Sequence, residues 1–117
     1  MAIAREKLGI TDFAGLVTGK RLAPVHPGDV LRNDFIDDLG ITRYKVAKLT
    51  NVQQRRIDEI CSGKRAITGD TALHLARLFG TDAAFWMNLQ AQYDLEISML
   101  SVGKQIEAEV TPLAEAA

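Results

Sequence analysis

Cysteine is almost missing from this chain: Cys61 is the only one in 117 residues. No internal disulfide can form, which fits a reducing compartment. Three prolines and nine glycines are too few to break the chain often, so long helices are permitted. No run of about 18 apolar residues exists, so no membrane span is expected. The opening "MAIAREKLGITDF" lacks the apolar core of a signal peptide, and the expected location is the cytoplasm. Metal and nucleophile chemistry is equally thin. His26 and His74 are the only histidines, and neither stands at metal-ligand spacing from the other or from Cys61. The carboxylates Asp37 and Asp38, like Asp58 and Glu59, are adjacent in sequence, so each pair splits between helix faces and cannot share a substrate. No glycine-rich phosphate loop is present. The expectation is a protein that is not an enzyme and holds no cofactor and no metal.

What is present is ordinary for a globular domain: 47% hydrophobic and 25% charged residues in a length that supports one core. The net charge of −1 hides a strong polarity. Between residues 43 and 65 stand Arg43, Lys45, Lys48, Arg55, Arg56, Lys64 and Arg65, against only Asp58 and Glu59. Half of all basic residues therefore occupy a fifth of the chain. A molecule built this way offers one basic face to phosphates while its acidic remainder keeps it soluble.

Along the chain, the spacing predicts helices throughout. Residues 1–25 form a leader, in which Phe13, Leu16 and Val17 at i, i+3, i+4 suggest one amphipathic turn after Thr11 or Asp12. "VTGKRLAPVHPG" reads as turn and linker. A first helix starts at Pro27, stops at Gly40 and buries Val30, Leu31, Phe35 and Leu39. A second is capped by Thr42 and turns Val46, Ala47, Leu49 and Thr50 inward. Asn51 takes the left-handed turn after it. A third helix, about Val52 to Ser62, buries Ile57, Ile60 and Cys61, and Gly63 ends it. A fourth is capped by Thr68 or Asp70, turns Leu73, Leu75, Ala76 and Phe79 inward and stops at Gly80. The longest helix follows, with Trp86, Leu89, Tyr93, Ile97 and Leu100 at steps of three or four, and the tail after Gly103 reads as frayed or extended. The expected division is a leader (1–25), a DNA-binding and dimerisation domain (26–102) and a tail (103–117).

Two short helices joined at Asn51 make the helix-turn-helix pattern. Ala47 is small where the helices approach, Val52 plugs the turn, and Ile57 and Ile60 anchor the second helix. That anchoring sends Arg55, Glu59 and Ser62 outward, with Arg56 and Asp58 on the flanks, at about 100° per residue. Gln54 and Arg55 fall in the first turn, the part that meets base edges in the major groove. Arginine reads guanine and glutamine reads adenine by paired hydrogen bonds. Glu59 either accepts from a cytosine amine or orients Arg55 by an i, i+4 pair. The apolar width of the last helix exceeds what a small core needs, which assigns Trp86, Tyr93, Ile97 and Leu100 to a dimer interface. The aromatic pair Trp86 and Tyr93 also reads as core at this spacing.

Residues 26 to about 95 resemble the HigA antitoxins of HigBA toxin–antitoxin systems, also called VapI-like proteins, within the lambda-repressor-like helix-turn-helix group. The stretches that carry the resemblance are "HPGDVL", "ITRYKVAKLTNV", "GKRAITGDTALHLARLFGT" and "FWMNLQAQYDLE". It implies a compact all-α bundle of five helices, a homodimer, binding of double-stranded operator DNA, and neutralisation of a HigB-type ribonuclease toxin. Carried onto this chain, Arg43, Gln53, Gln54 and Arg55 are the base or backbone readers and Lys64 and Arg65 the phosphate contacts. Lys45, Arg56 and Glu59 complete the expected DNA-binding set. The competing readings are a stand-alone repressor of the same fold, or a protein-interaction module without DNA binding.

Overall fold

The computed structural model describes residues 23–116. The expected turn at Phe13, Leu16 and Val17 lies outside them. Five principal helices and a short sixth follow one another, with no strand among the described residues. Helix α1 opens at Pro27–Val30 and winds on as a π-helix over Leu31–Asp37. Then come α2 (Arg43–Thr50), α3 (Gln54–Cys61), α4 (Gly69–Phe79), α5 (Ala83–Glu109) and α6 (Leu113–Ala116).

The helix ends follow local chemistry. Thr42 and Thr68 each accept a hydrogen bond from the backbone N–H three residues on, as N-caps do. Asn51 closes α2 at φ 62°, the left-handed turn that asparagine tolerates. His26, expected in a linker, is instead the N-cap of α1: its Nδ1 accepts from the Gly28 N–H at 2.8 Å. The ring is buried and meets Tyr93 edge-on at 4.8 Å between centroids. Burial holds the His26 pKa below its ordinary value, although Asp29 and Asp94 pull the other way. Protonation would remove the Nδ1 acceptor, so the stability it supports is present above the ordinary value and falls as pH drops below it.

The core joins α1, α2, α3, α4 and the first turns of α5. Trp86, Leu31, Ile57, Ile60, Ile67, Leu75 and Val46 are its largest fully buried members. Trp86 donates its indole N–H to Thr81 Oγ1 at 2.9 Å and packs against Phe35 and Phe85. Gln90 is a buried polar residue that the apolar spacing did not reveal. Its Oε1 accepts from Ile67 N–H at 2.8 Å, so it fixes the loop between α3 and α4 onto α5.

Three inward assignments fail for geometric reasons. Leu39 is 58% exposed while Ile36 is buried, because i→i+5 bonding in the π segment places Leu31 and Ile36 on one face. Leu49 is exposed because it lies roughly 100° round the helix from the centre of Val46, Ala47 and Thr50. Leu73 likewise points to solvent, and Thr71 and Ala72 take its place in the core. The last helix does not stop near Gly103. It runs to Glu109, since a mid-helix glycine costs only about 1 kcal/mol and Lys104, Gln105, Glu107 and Ala108 are good helix formers.

Helices α1 and α3 meet at Gly28. A methyl group there would collide with the Ile60 carbonyl, which belongs to backbone and cannot rotate away. Gly28→Ala is therefore expected to destabilise the fold by about 1–3 kcal/mol through overpacking. An unchanged midpoint in thermal or urea unfolding would contradict the close approach.

Candidate nucleic-acid interface

Helix α3 is sunk into the core along Ile57, Ile60 and Cys61, all fully buried. A close contact and one hydrogen bond from α1 hold its far end: the Gly28 approach just described, and Arg32 donating from Nη1 to the Cys61 carbonyl at 2.8 Å. With one face fixed, the opposite face is fixed too. Gln53 and Gln54 stand exposed at its start, and the Arg55 side chain is 82% exposed. Gln53, Gln54 and the turn at Asn51 border an open groove of about 440 Å³ between α2 and α3, walled also by Tyr44 and Lys48.

The outward charges are organised around Glu59. Its Oε2 accepts from Arg55 Nε at 3.0 Å, and its Oε1 accepts from Arg65 Nε at 2.8 Å and pairs with Arg65 Nη2 at 2.7 Å. The Arg55 and Arg65 bonds hold the Glu59 carboxyl below its ordinary pKa. Of the two roles open from sequence, the geometry fits the orienting one. The carboxylate braces Arg55 by its Nε and leaves the two terminal nitrogens for a forked contact. It also ties the loop after α3 back onto the helix.

The other expected DNA-binding residues are placed differently from one another. Gln53, Gln54, Arg55, Lys45 and Lys64 are exposed, and Lys64 stands beside Arg65 just beyond α3. Arg43 sits at the edge, 3.9 Å from the Asp58 carboxylate, so its charge is partly offset. Arg56 is turned away from the outward face. Its Nη1 donates to Asp70 at 2.8 Å and lies 3.4 Å from Thr71 Oγ1, so it fastens α3 to α4. In this arrangement Arg56 serves as a link between α3 and α4. Arg65 is engaged with Glu59 but remains 47% exposed.

Tyr44 was missed. It is exposed beside the groove with Lys48 Nζ 5.9 Å from its ring centroid. An apolar-looking residue on a helix with little amphipathic contrast gave no signal of its own.

The expected dimer residues also divide. Trp86 is fully buried inside the monomer and cannot contribute to an interface. Tyr93 is half-buried against His26. Ile97 and Leu100 are exposed, and so are Leu95, Met99, Val102 and Ile106, because α5 continues well past the body of the domain. Cys61 lies in the core with its thiol pKa pushed up by burial, so it is not a nucleophile. Among the described residues no group of three His, Cys, Asp or Glu side chains is placed to hold a metal ion. No described helix is long and apolar enough to cross a membrane.

Comparison with known proteins agrees with this geometry. The helix-turn-helix family model matches residues 34–86. Virulence-associated protein I of Dichelobacter nodosus is 43% identical over 81 residues, covering 68% of this chain and 75% of that protein. The structure of the Pseudomonas aeruginosa antitoxin HigA with the higBA promoter superposes with a TM-score of 0.75 at 40% identity, over 77% of this chain and 98% of that one. An addiction module antidote protein of the HigA family from Coxiella burnetii superposes with a TM-score of 0.74 at 41% identity, over 78% of this chain and 99% of that one.

If Glu59 braces both arginines in solution, its carboxyl titrates below the ordinary glutamate value, and Arg65→Ala moves that midpoint upward. Carboxyl carbon shifts followed by NMR through acid pH would show this. An ordinary midpoint in the unmodified protein would mean the brace does not form.

Proposed function

The chain belongs to the HigA family of helix-turn-helix antitoxins, and on that premise we propose that it is the antitoxin of a type II toxin–antitoxin pair. In this reading a homodimer represses its own operon by major-groove binding and neutralises a HigB-type ribonuclease toxin in the cytoplasm. The observation that carries the DNA-binding half is the exposed start of α3, where Gln54 and Arg55 project from a helix whose other face is locked in the core.

The mechanism follows from that placement. The first turn of α3 enters the major groove, where Gln54 and Arg55 meet base edges. Arg55 comes already oriented by Glu59, so less side-chain entropy is lost on binding. Lys64 and, with its remaining donors, Arg65 approach the phosphate backbone, joined by Lys45 and by Arg43 at the edge. Gln53, at the N-cap of α3, donates to backbone or base. The basic face supplies salt-dependent attraction and the acidic remainder of the chain points elsewhere.

Two-fold symmetry supplies the second recognition helix, spaced about 34 Å from the first so that both read one face of a palindrome. The protruding part of α5 is suited to the dimer contact. Leu95, Met99, Val102 and Ile106 recur at steps of four, three and four, the spacing of a two-helix seam. This seam replaces the one expected from Trp86. Toxin neutralisation rests on kinship with the HigA antitoxins, and the relatives' names carry it.

Arg55→Ala is expected to cost about 1–3 kcal/mol on the preferred operator and much less on unrelated duplexes. Lys64→Ala should weaken binding to both alike and lower the slope of log affinity against log salt by about one. Titration of each variant by fluorescence anisotropy at several salt concentrations separates the two. Equal losses for Arg55→Ala on every sequence would make it a phosphate contact.

A further inference from the structure

Gln90 stands about two turns into α5 and is only 6% exposed, at a place where leucine would bury more apolar surface. A buried amide is costly unless its polar ends are paired. Here both are: Oε1 accepts from the Ile67 N–H at 2.8 Å, and Nε2 donates to Asp94 Oδ1 at 2.9 Å. The Asp94 bond also fixes which end of the amide faces Ile67, since only the oxygen accepts. We propose that Gln90 is a positioning residue for DNA binding: through Ile67 it holds Lys64 and Arg65 where they meet the phosphate backbone.

The two ends of the loop after α3 are held by different helices. Its start belongs to α3. Gly63 N–H donates to the Ile60 carbonyl at 3.0 Å and Lys64 N–H to the Glu59 carbonyl at 2.8 Å, while Arg65 pairs with the Glu59 carboxylate. Its end belongs to α5. Ile67 is fully enclosed and follows two residues after Arg65 and three after Lys64. There Gln90 supplies the acceptor, just before Thr68 caps α4. Without it a buried N–H loses its partner, and the backbone that carries the two cations is fixed from one side only.

The bond joins the stretches "GKRAITGDTALHLARLFGT" and "FWMNLQAQYDLE", both of which lie outside the two helices of the helix-turn-helix. Beyond Asp94 the same helix carries the seam assigned to the second copy. The bond therefore refers the phosphate contacts of each copy to the element that spaces the two. This rests on the reading of Lys64 and Arg65 as phosphate contacts, and adds to them a residue that itself touches no DNA.

Gln90→Met removes the acceptor at nearly constant volume. The full-length variant and the unmodified protein are titrated against the duplex upstream of the chain's own gene and against a scrambled duplex, at several salt concentrations. The slope of log affinity against log salt is expected to fall by about one, with the ratio between the two duplexes unchanged. A protein that is merely less stable has a smaller folded fraction, which shifts affinity by one factor at every salt concentration and leaves the slope alone. Lys64→Ala, alone and combined with Gln90→Met, separates the proposal from the reading beneath it. If Gln90 acts through the loop, Lys64→Ala loses several-fold less affinity in the Gln90→Met background than in the unmodified protein. Additive losses, or an unchanged slope for Gln90→Met where Lys64→Ala lowers it, would overturn the proposal alone. An unchanged slope for Lys64→Ala would overturn the phosphate reading and the proposal with it. Hydrogen exchange on the unmodified protein tests the bond even if Gln90→Met does not fold. The Ile67 amide is expected to exchange at least about tenfold more slowly than that of Ala66 beside it, and equal exchange would overturn the proposal.

Discussion

The contact between Gly28 and the Ile60 carbonyl sets the position of everything that faces outward. A side chain of any size at residue 28 would push α3 off α1. With glycine there, the two backbones touch, and Arg32 adds a hydrogen bond to the Cys61 carbonyl at the end of the same helix. The Cys61 carbonyl is among the last of α3 and has no partner within the helix, whereas the Ile60 carbonyl accepts from the Gly63 N–H at 3.0 Å. The first helix thus satisfies a helix terminus and aims a recognition surface with one small set of residues. His26, as cap of α1 and neighbour of Tyr93, connects that joint to the last helix.

On the outward side, one acidic residue inside the basic cluster does most of the ordering. Glu59 offsets part of the charge that would otherwise favour any phosphate backbone. In return it fixes Arg55 in a geometry suited to a forked contact. The balance favours discrimination over raw affinity, as an operator-binding protein requires when nonspecific sites outnumber the operator. Arg56 shows the other use of charge here, since its pairing with Asp70 locks α3 to α4.

Much of this was legible in the sequence, and the parts that were not have physical causes. The caps at Thr42 and Thr68, the left-handed turn at Asn51, the stops at Gly40, Gly63 and Gly80, and the burial of Ile57, Ile60 and Cys61 are local effects, decided within a few residues. The π segment of α1 is not local. It shifts the inward phase from Leu39 to Ile36, and no residue in "LRNDFID" announces it. Leu49 and Leu73 show that hydrophobicity alone does not choose a face when smaller residues fill the contact. Gln90 and Arg56 were hidden because each acts on a partner more than ten residues away, Ile67 and Asp70. Trp86 read both as core and as interface, and only the core reading holds, because spacing marks a stripe without marking where the domain's body ends.

The central claim is that α3 reads a specific sequence upstream of the chain's own gene. The most direct measurement is the affinity of the purified protein for that duplex and for a scrambled duplex of equal length and composition, at two salt concentrations. The account predicts at least a hundredfold preference for the upstream duplex, with affinity for both falling as salt rises. Equal affinity for the two duplexes would contradict it, because the exposed turn at Gln54 and Arg55 would then be reading no bases.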